Sequence, residues 1–393
     1  MFKLIKISAI VGAAMLAACG GGGGSPGENS LPYSISLRAD TNQLPLNASH
    51  YPVGQGVYAP FTTTLYVEAR QGSMAIPGGE DVFACNLARG LDSGSLYYLD
   101  GDEEHEDDDG NPLAYRSIVL GANSGGNSFH FHASDKAGTA RITCSVTDPK
   151  DGRVYSASED IVVGGVTNKP SNVLAVTQAP GYLGAQNNTS GLPNSVVVQA
   201  RVFDDLNQPV PNSAGANVSV RILPVAGSVY SGARLMAGVQ SRNPNEDLWV
   251  ATVGGVGTFM VASGPDRNGP IVLEITVDRA DNDVTNGISQ PIRSLTTIDV
   301  VNGVAVTPLA VAGTTVSATV GVDFAYALSA VGGVPPYKWS ALGAPAGLGV
   351  TPEGVVIGRP TSAGASNMVV TVTDANNNSA MINIPVTVQA AAE

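Results

Sequence analysis

Short runs in which apolar and polar residues alternate recur from about Tyr33 onward, each closed by glycine, proline, asparagine or aspartate. A two-residue period of this kind belongs to strands buried on one face. Thr62 to Arg70 sets Leu65, Val67 and Ala69 on one side, and the turn Gly72 to Gly79 follows with Pro77 inside it. Asp81 to Leu87 reads as a second strand and carries Cys85. Arg141 to Thr147 alternates again, carries Cys144 and runs into the turn Asp148 to Gly152. No stretch holds the 3.6-residue period of a long amphipathic helix. The pattern predicts an all-β chain whose first sandwich occupies residues 32–164.

Gly164 to Asn172, with Gly164-Gly165 and Lys169-Pro170, has turn formers and no apolar alternation, so it reads as a linker. Beyond it, residues 170–302 repeat the layout of the first unit. Ala69-Arg70, Ile76-Pro77 and Gly94 to Tyr97 match Ala200-Arg201, Val210-Pro211 and Gly227 to Tyr230 at nearly equal gaps. The late strands match as well, one ending Val-Thr-Asp at Asp148 and the other Val-Asp at Asp278. Phe203-Asp-Asp-Leu-Asn-Gln-Pro-Val-Pro211, followed by the run Asn217 to Ile222, resembles bacterial immunoglobulin-like domains of the invasin and intimin kind. The first unit departs from that pattern, because Gln71 to Pro77 lacks the Asp-x-x-Gly character and an acidic insertion is extra.

Residues 303–390 resemble the family named Putative Ig domain, cadherin-like in appearance. The resemblance rests on Gly332-Gly-Val-Pro-Pro-Tyr-Lys-Trp339, Pro345 to Leu348, Gly354 to Pro360, Ala363-Gly364 and Val370 to Asp374. Tyr337 and Trp339 alternate with polar neighbours and should face a core, while Gly354 and Gly358 permit turns. Together these readings imply three tandem immunoglobulin-like β-sandwiches. A length of 393 residues suits two to four domains of roughly 100–200 residues each.

The amino terminus follows other rules. Lys3 and Lys6 precede the apolar run Ile7 to Leu16, which is far short of the roughly 20 residues a membrane-spanning helix needs. Leu16-Ala-Ala-Cys19 resembles the lipobox of bacterial lipoproteins. That resemblance implies a signal peptide at residues 1–18, removed before Cys19, and a diacylglycerol on the Cys19 sulfur. It implies anchoring in a membrane by more than one acyl chain, which holds far better than one. Gly20 after the cysteine favours the outer membrane, with the protein facing the periplasm or the cell surface. Residues 19–31 then form a glycine-rich tether. With Cys19 spent on lipid, Cys85 and Cys144 remain as a disulfide pair in an oxidising compartment, joining two strands across the core or along one sheet.

Composition changes the picture mainly by exclusion. A net charge of −13 argues against nucleic acid or anionic lipid as a partner, because both need basic patches. No nucleophile elbow, phosphate loop, dinucleotide fingerprint or His-Glu-x-x-His motif occurs, and the four histidines, His50, His105, His130 and His132, all fall in the first unit. The chain therefore reads as non-enzymatic.

Two clusters are candidates for metal chemistry. Asp100 to Asn111 is dense in carboxylates, and Asp100, Asp102, Asp107 and Asp109 are candidate calcium ligands, set against a plain solvated acidic loop. An EF-hand register fails, since aligning Gly110 with its glycine puts Arg116 where a bidentate glutamate belongs. His130 and His132 flank Phe131 and share a strand face, so they are candidate zinc or copper ligands if His105 or a carboxylate joins them. The alternative is a pair of exposed strand histidines opposite a phenylalanine core face. The expectation for the whole is a lipid-anchored cell-envelope protein whose tandem domains act as a stalk, adhesion module or protein-interaction scaffold, meeting an envelope or extracellular protein or glycan. The alternative is a carbohydrate-binding or polysaccharide-processing accessory lipoprotein.

Overall fold

A computed structural model of the protein describes residues 31–391 apart from residues 108–110, 266–267, 304–307 and 313–314. The signal segment, Cys19, the tether through residue 30 and Asp109 lie outside the described residues.

The first sandwich contains β1 (Tyr33–Ala39), β2 (Gln43–Leu44), β3 (Thr62–Gln71), β4 (Met74–Ala75), β5 (Gly79–Arg89), β6 (Gly94–Tyr97), β7 (Ser117–Ala122), β8 (Gly126–Ala133), β9 (Gly138–Thr147) and β10 (Val154–Val163). One sheet runs β1-β3-β8-β6 with β4 on β3, and the other runs β2-β10-β9-β5-β7. The alternation of β3 does its work here: Leu65, Val67 and Ala69 are sealed in a core with Phe83, Phe129 and Phe131. Cys85 and Cys144 stand directly opposite one another on the neighbouring strands β5 and β9 and are bonded. The bridge therefore runs along one sheet.

The second sandwich contains β11 (Asn172–Thr177), β12 (Tyr182–Gly184), β13 (Ser195–Phe203), β14 (Val218–Leu223), β15 (Arg234–Ala237), β16 (Gln240–Arg242), β17 (Leu248–Val250), β18 (Val256–Ala262), β19 (Gly269–Asp278) and β20 (Pro291–Val301). Its sheets, β11-β13-β18-β15-β16 and β12-β20-β19-β14-β17, repeat the strand order of the first. In both, a short second strand joins the last strand in parallel. The internal repeat is thus real in topology, but one of its sequence pairings slips. Gly94 to Tyr97 is β6, whereas Gly227 to Tyr230 lies in the turn before β15, the strand that takes the place of β6.

The third sandwich is smaller, with β21 (Ala310–Val311), β22 (Val316–Thr319), β23 (Phe324–Ala327), β24 (Ala330–Val331), β25 (Lys338–Leu342), β26 (Leu348–Val350), β27 (Val355–Gly358), β28 (Gly364–Thr373) and β29 (Ser379–Gln389). Tyr337 and Trp339 are buried, as their alternation requires. Gly354 has φ +85°, and a Cβ there would come within 2.5 Å of the Trp339 indole nitrogen, so the turn and the ring both demand glycine. Asp148, Asp278 and Asp374, which close the late strands, each accept backbone N–H groups of the following turn. For Asp278, burial opposes ionisation, but the N–H groups of Ser289, Ala280 and Gln290 outweigh it and hold the carboxyl below its ordinary range.

The three units are joined by more than chain. Ile271, Leu273, Ile275 and Val277 of β19 point into the second core, while Val272, on the other face, is also fully buried. It meets Leu295 of β20 and Ala327 and Val355 of the third sandwich, with Tyr58 of the first packed against them. At the rim of this seam the Ala327 N–H donates to the Ala226 carbonyl at 2.8 Å and the Thr297 hydroxyl to the Glu353 carbonyl at 2.9 Å.

Candidate functional site

Strand β8 carries the two histidines that the sequence singles out. Phe129 and Phe131 enter the core, and His130 and His132 take the opposite face. That face is not exposed, contrary to the plainer sequence reading: His130 and His132 are only 8% and 9% accessible. The segment Pro45 to Phe61, which has no strand of its own, covers it at His132. Asn47 and Phe61 are buried, and Phe61 stacks on Tyr51 at 5.4 Å between ring centres.

The hydrogen bonding of His132 explains how an imidazole is tolerated there. Its Nδ1 lies 2.8 Å from the Thr62 hydroxyl, and its Nε2 lies 3.0 Å from Asn47 Nδ2 and 3.1 Å from the Tyr51 carbonyl. Asn47 completes the loop by accepting the Tyr51 N–H at 2.8 Å and donating to the Tyr51 carbonyl at 2.9 Å. Burial lowers the His132 pKa to about 4, against the pull of the Tyr51 carbonyl. His130, bonded through Nδ1 to the Tyr98 carbonyl at 3.1 Å, is lowered by burial too. Both rings are neutral at ordinary pH. A metal at His132 would have to displace bonds that already engage both ring nitrogens.

The acidic loop is organised locally. The Asp100 carboxylate meets His105 Nδ1 at 3.0 Å and accepts the Asp102 N–H. Asp102 accepts the Glu104 N–H, and Asp107 accepts both the N–H and the side-chain amide of Asn111. His105 stacks flat on Tyr98 at 3.6 Å. Among the described residues, no three histidine, cysteine or acidic side chains gather as a ligand set. Asp100, Asp102 and Asp107 each spend carboxylate oxygens on groups of their own loop.

What the structure does assemble, and the sequence reading missed, are joints. Between the first and second sandwiches, Asp205 is fully buried and its Oδ2 accepts Arg279 Nη2 at 2.9 Å and the Thr167 hydroxyl at 2.5 Å. Its carbonyl accepts the Leu46 N–H of the first sandwich at 2.8 Å. Asp204 beside it accepts the Thr167 and Asn168 N–H groups, so the predicted linker is pinned. Between the second and third, the carboxylates Asp299 and Glu353 have no cation beside them among the described residues. Burial raises the Asp299 pKa to about 7 against the Tyr337 backbone N–H, and burial raises Glu353 as well. The Asp204-Asp205 doublet was visible as turn chemistry, but Arg279, 74 residues on, was not. The nearly unbroken apolar run of β19 was the available signal for a strand covered on both faces.

An open cleft of about 440 Å³ lies on the outer face of the first sandwich, lined by Ser36, Arg38, Tyr66, Glu68, Asn127 and Ser128 among others. The Arg38 guanidinium lies 3.9 Å over the Tyr66 ring. Its two charged side chains pair with neighbours beyond the lining, Arg38 with Asp40 at 3.6 Å and Glu68 with Arg70.

No curated protein matches the sequence. Among solved structures, the eight N-terminal Ig domains of Down Syndrome Cell Adhesion Molecule are similar at TM-score 0.31 and 12% identity, over 91% of this chain and 40% of that one. The bacterial integrin-binding protein invasin is similar at 0.22 and 14%, over 90% of this chain and 58% of that one. An adhesin of Yersinia pseudotuberculosis is similar at 0.23 and 12%, over 68% of this chain and 58% of that one. The chain thus spans 40 to 58% of the length of these three. Closer to the sequence, residues 297–389 match the family model described as Putative Ig domain, the family whose motifs run from Gly332 to Asp374.

Proposed function

We propose that the protein is a lipoprotein, anchored in the outer membrane through Cys19, whose immunoglobulin-like domains form a non-catalytic adhesion or protein-interaction scaffold. The observation that carries this reading is the packing of the domains. Val272 and Leu295 of the second sandwich are sealed by Ala327 and Val355 of the third, and the Leu46 N–H on the Asp205 carbonyl joins the second to the first. Surfaces on different domains are therefore held in fixed relation, which suits a scaffold that displays a binding face.

Crosslinking on intact cells, followed by identification of the captured protein, tests the scaffold. A reproducible envelope or extracellular partner supports it, and persistent absence of any crosslink counts against it. Replacing Cys19→Ser tests the anchor: the protein should leave the membrane fraction, and continued sedimentation with outer membranes would refute lipidation there.

The cleft at Tyr66 favours a second reading, recognition of a glycan. Its hydroxyls and amides surround one aromatic ring, and its charges are paired with neighbours, which suits a neutral polar ligand. Binding on a glycan array that vanishes in Tyr66→Ala supports this reading; a silent array removes it.

A further inference from the structure

The segment between β2 and β3 has two ends that behave differently. Its base is fixed in the first sandwich: Asn47 is bonded to Tyr51 and His132, the Asn47 N–H donates to the Ser134 carbonyl at 3.0 Å, and the Phe61 carbonyl accepts the Ala133 N–H at 2.9 Å. Its middle, Pro52 to Ala59, pairs with no strand and contains Gly54 and Gly56, the latter at φ +87°. The contacts that carry this middle outward are made by two side chains. Gln55 Nε2 donates to the Leu99 carbonyl at 2.8 Å within its own domain. Tyr58 leaves the domain altogether.

The Tyr58 hydroxyl donates to Glu274 Oε2 at 2.6 Å, and its ring packs on the seam formed by Val272, Leu295, Ala327 and Val355. Glu274 stands on the same outward face of β19 as Val272 and lies 4.0 Å from Arg293 of β20. Burial, then the bond to Glu274 and its charge, push the Tyr58 phenol well above its ordinary value, with Asp323 of the third sandwich adding to this and Arg293 opposing it. One side chain of the first domain thus meets groups of both others. Its body covers apolar surface that would otherwise face water, and its hydroxyl satisfies a carboxylate whose side chain is only 16% accessible.

We propose that Pro45 to Phe61 is a strap that closes the first domain over the seam between the second and third, with Tyr58 as its key. Withdrawing the key opens the seam. The base stays locked by Asn47 and His132, and because the middle of the strap pairs with no strand, release breaks no sheet hydrogen bonds. The Leu46 N–H on the Asp205 carbonyl, with the linker pinned on Asp204 and Asp205, keeps the first two domains connected, so opening moves the third domain against them. The strap concerns how the three domains are held together and is independent of what the scaffold binds.

The test uses the full chain carrying Cys19→Ser, with nitroxide labels at Met74→Cys in the first domain and Met381→Cys in the third, both exposed. Cys85 and Cys144 are bonded to each other and do not label. Electron-electron double resonance should give one narrow distance distribution in this parent. Tyr58→Ala should add a second, broader population. Tyr58→Phe keeps the ring and loses a hydrogen bond to a charged group, which raises the ratio of open to closed forms roughly tenfold or more. Glu274→Ala makes the same break from the other side and decides the matter should Tyr58→Ala fail to fold. A broad distribution in the parent, or distributions unchanged in both Tyr58→Phe and Glu274→Ala, overturns the strap. Either result leaves the crosslinking test of the scaffold untouched.

Discussion

Two sheet faces in this protein are shut off from water by opposite chemistry. The face of β3 and β8 that carries Thr62 and His132 is polar, and the chain covers it with a segment of its own, only 85 residues separating Asn47 from His132. The face of β19 and β20 that carries Val272 and Leu295 is apolar, and a different domain covers it. Burying a polar face costs several kcal/mol for each unmatched group, so every lone pair and N–H must find a partner, and this fixes the covering segment atom by atom. Burying an apolar face asks only for matching shape. The first arrangement therefore specifies one geometry, while the second tolerates adjustment and leaves Asp299 and Glu353 inside with no cation beside them among the described residues.

The largest difference should appear when the first sandwich loses its covalent brace. The two sandwiches share a strand order, but only the first has a bridge, joining residues 59 apart in sequence. Replacing Cys85→Ala together with Cys144→Ala should cost that domain about 4 kcal/mol in the chain-entropy account. Calorimetry checks it. A transition for the first domain should move down while that of the second stays, and equal downward movement of both would show that the joints make the two domains melt as one.

Neighbouring residues on β19 sharpen the contrast at smaller scale. Ile271 points into the second core and Val272 into the seam. Ile271→Ala should cost the second domain on the order of 2–5 kcal/mol. Val272→Ala removes less apolar surface, about 2 kcal/mol at most, and should loosen the third domain while leaving the second intact. Limited proteolysis distinguishes these outcomes: release of an intact third domain only from the Val272 variant supports separate roles, and identical digestion of both variants contradicts it.

How much of this was legible depends on sequence distance. The alternation of Leu65, Val67 and Ala69 named its buried face correctly because strand period is a local property. The motifs around Tyr337 and Trp339 likewise placed those rings in the third core. The repeat between the first two sandwiches was readable where it follows strands, as at Ala69-Arg70 and Ala200-Arg201. It slipped at Gly227 to Tyr230, where the turn serves the third domain: Ala226 bonds Ala327 rather than continuing the repeat. The histidines show the limit most directly. Their shared face followed from strand geometry, but whether that face met water depended on Pro45 to Phe61, a stretch with no periodic signal. Partners such as Tyr58 and Glu274, 216 residues apart, leave no trace in local pattern.

Changes of pH separate the two covered faces by sign. His132 is ordinarily a group of pKa 6.5 and is lowered to about 4 in the fold, so protons favour the unfolded chain. Its contribution to the first domain is full above pH 6.5 and is lost as pH falls through about 4. Asp299 is ordinarily near 3.8 and is raised to about 7, so protons favour the closed seam. Its contribution is full below pH 3.8 and is lost as pH rises through about 7, with Glu353 shifted in the same direction. The groups beside Asp299 do not reverse this: Tyr337 faces it from the third domain and Tyr182 pairs with it in the sheet, and neither brings a positive charge. Acidification from pH 7 to 4 should therefore weaken the first domain while tightening the joint between the second and third. Following the His132 ring by NMR should give a midpoint near 4, and Asp299→Asn should remove the loosening of the seam between pH 4 and 7. A seam whose pH response is the same in Asp299→Asn and in the unaltered protein would show that the buried carboxylate is not what distinguishes the apolar face from the polar one.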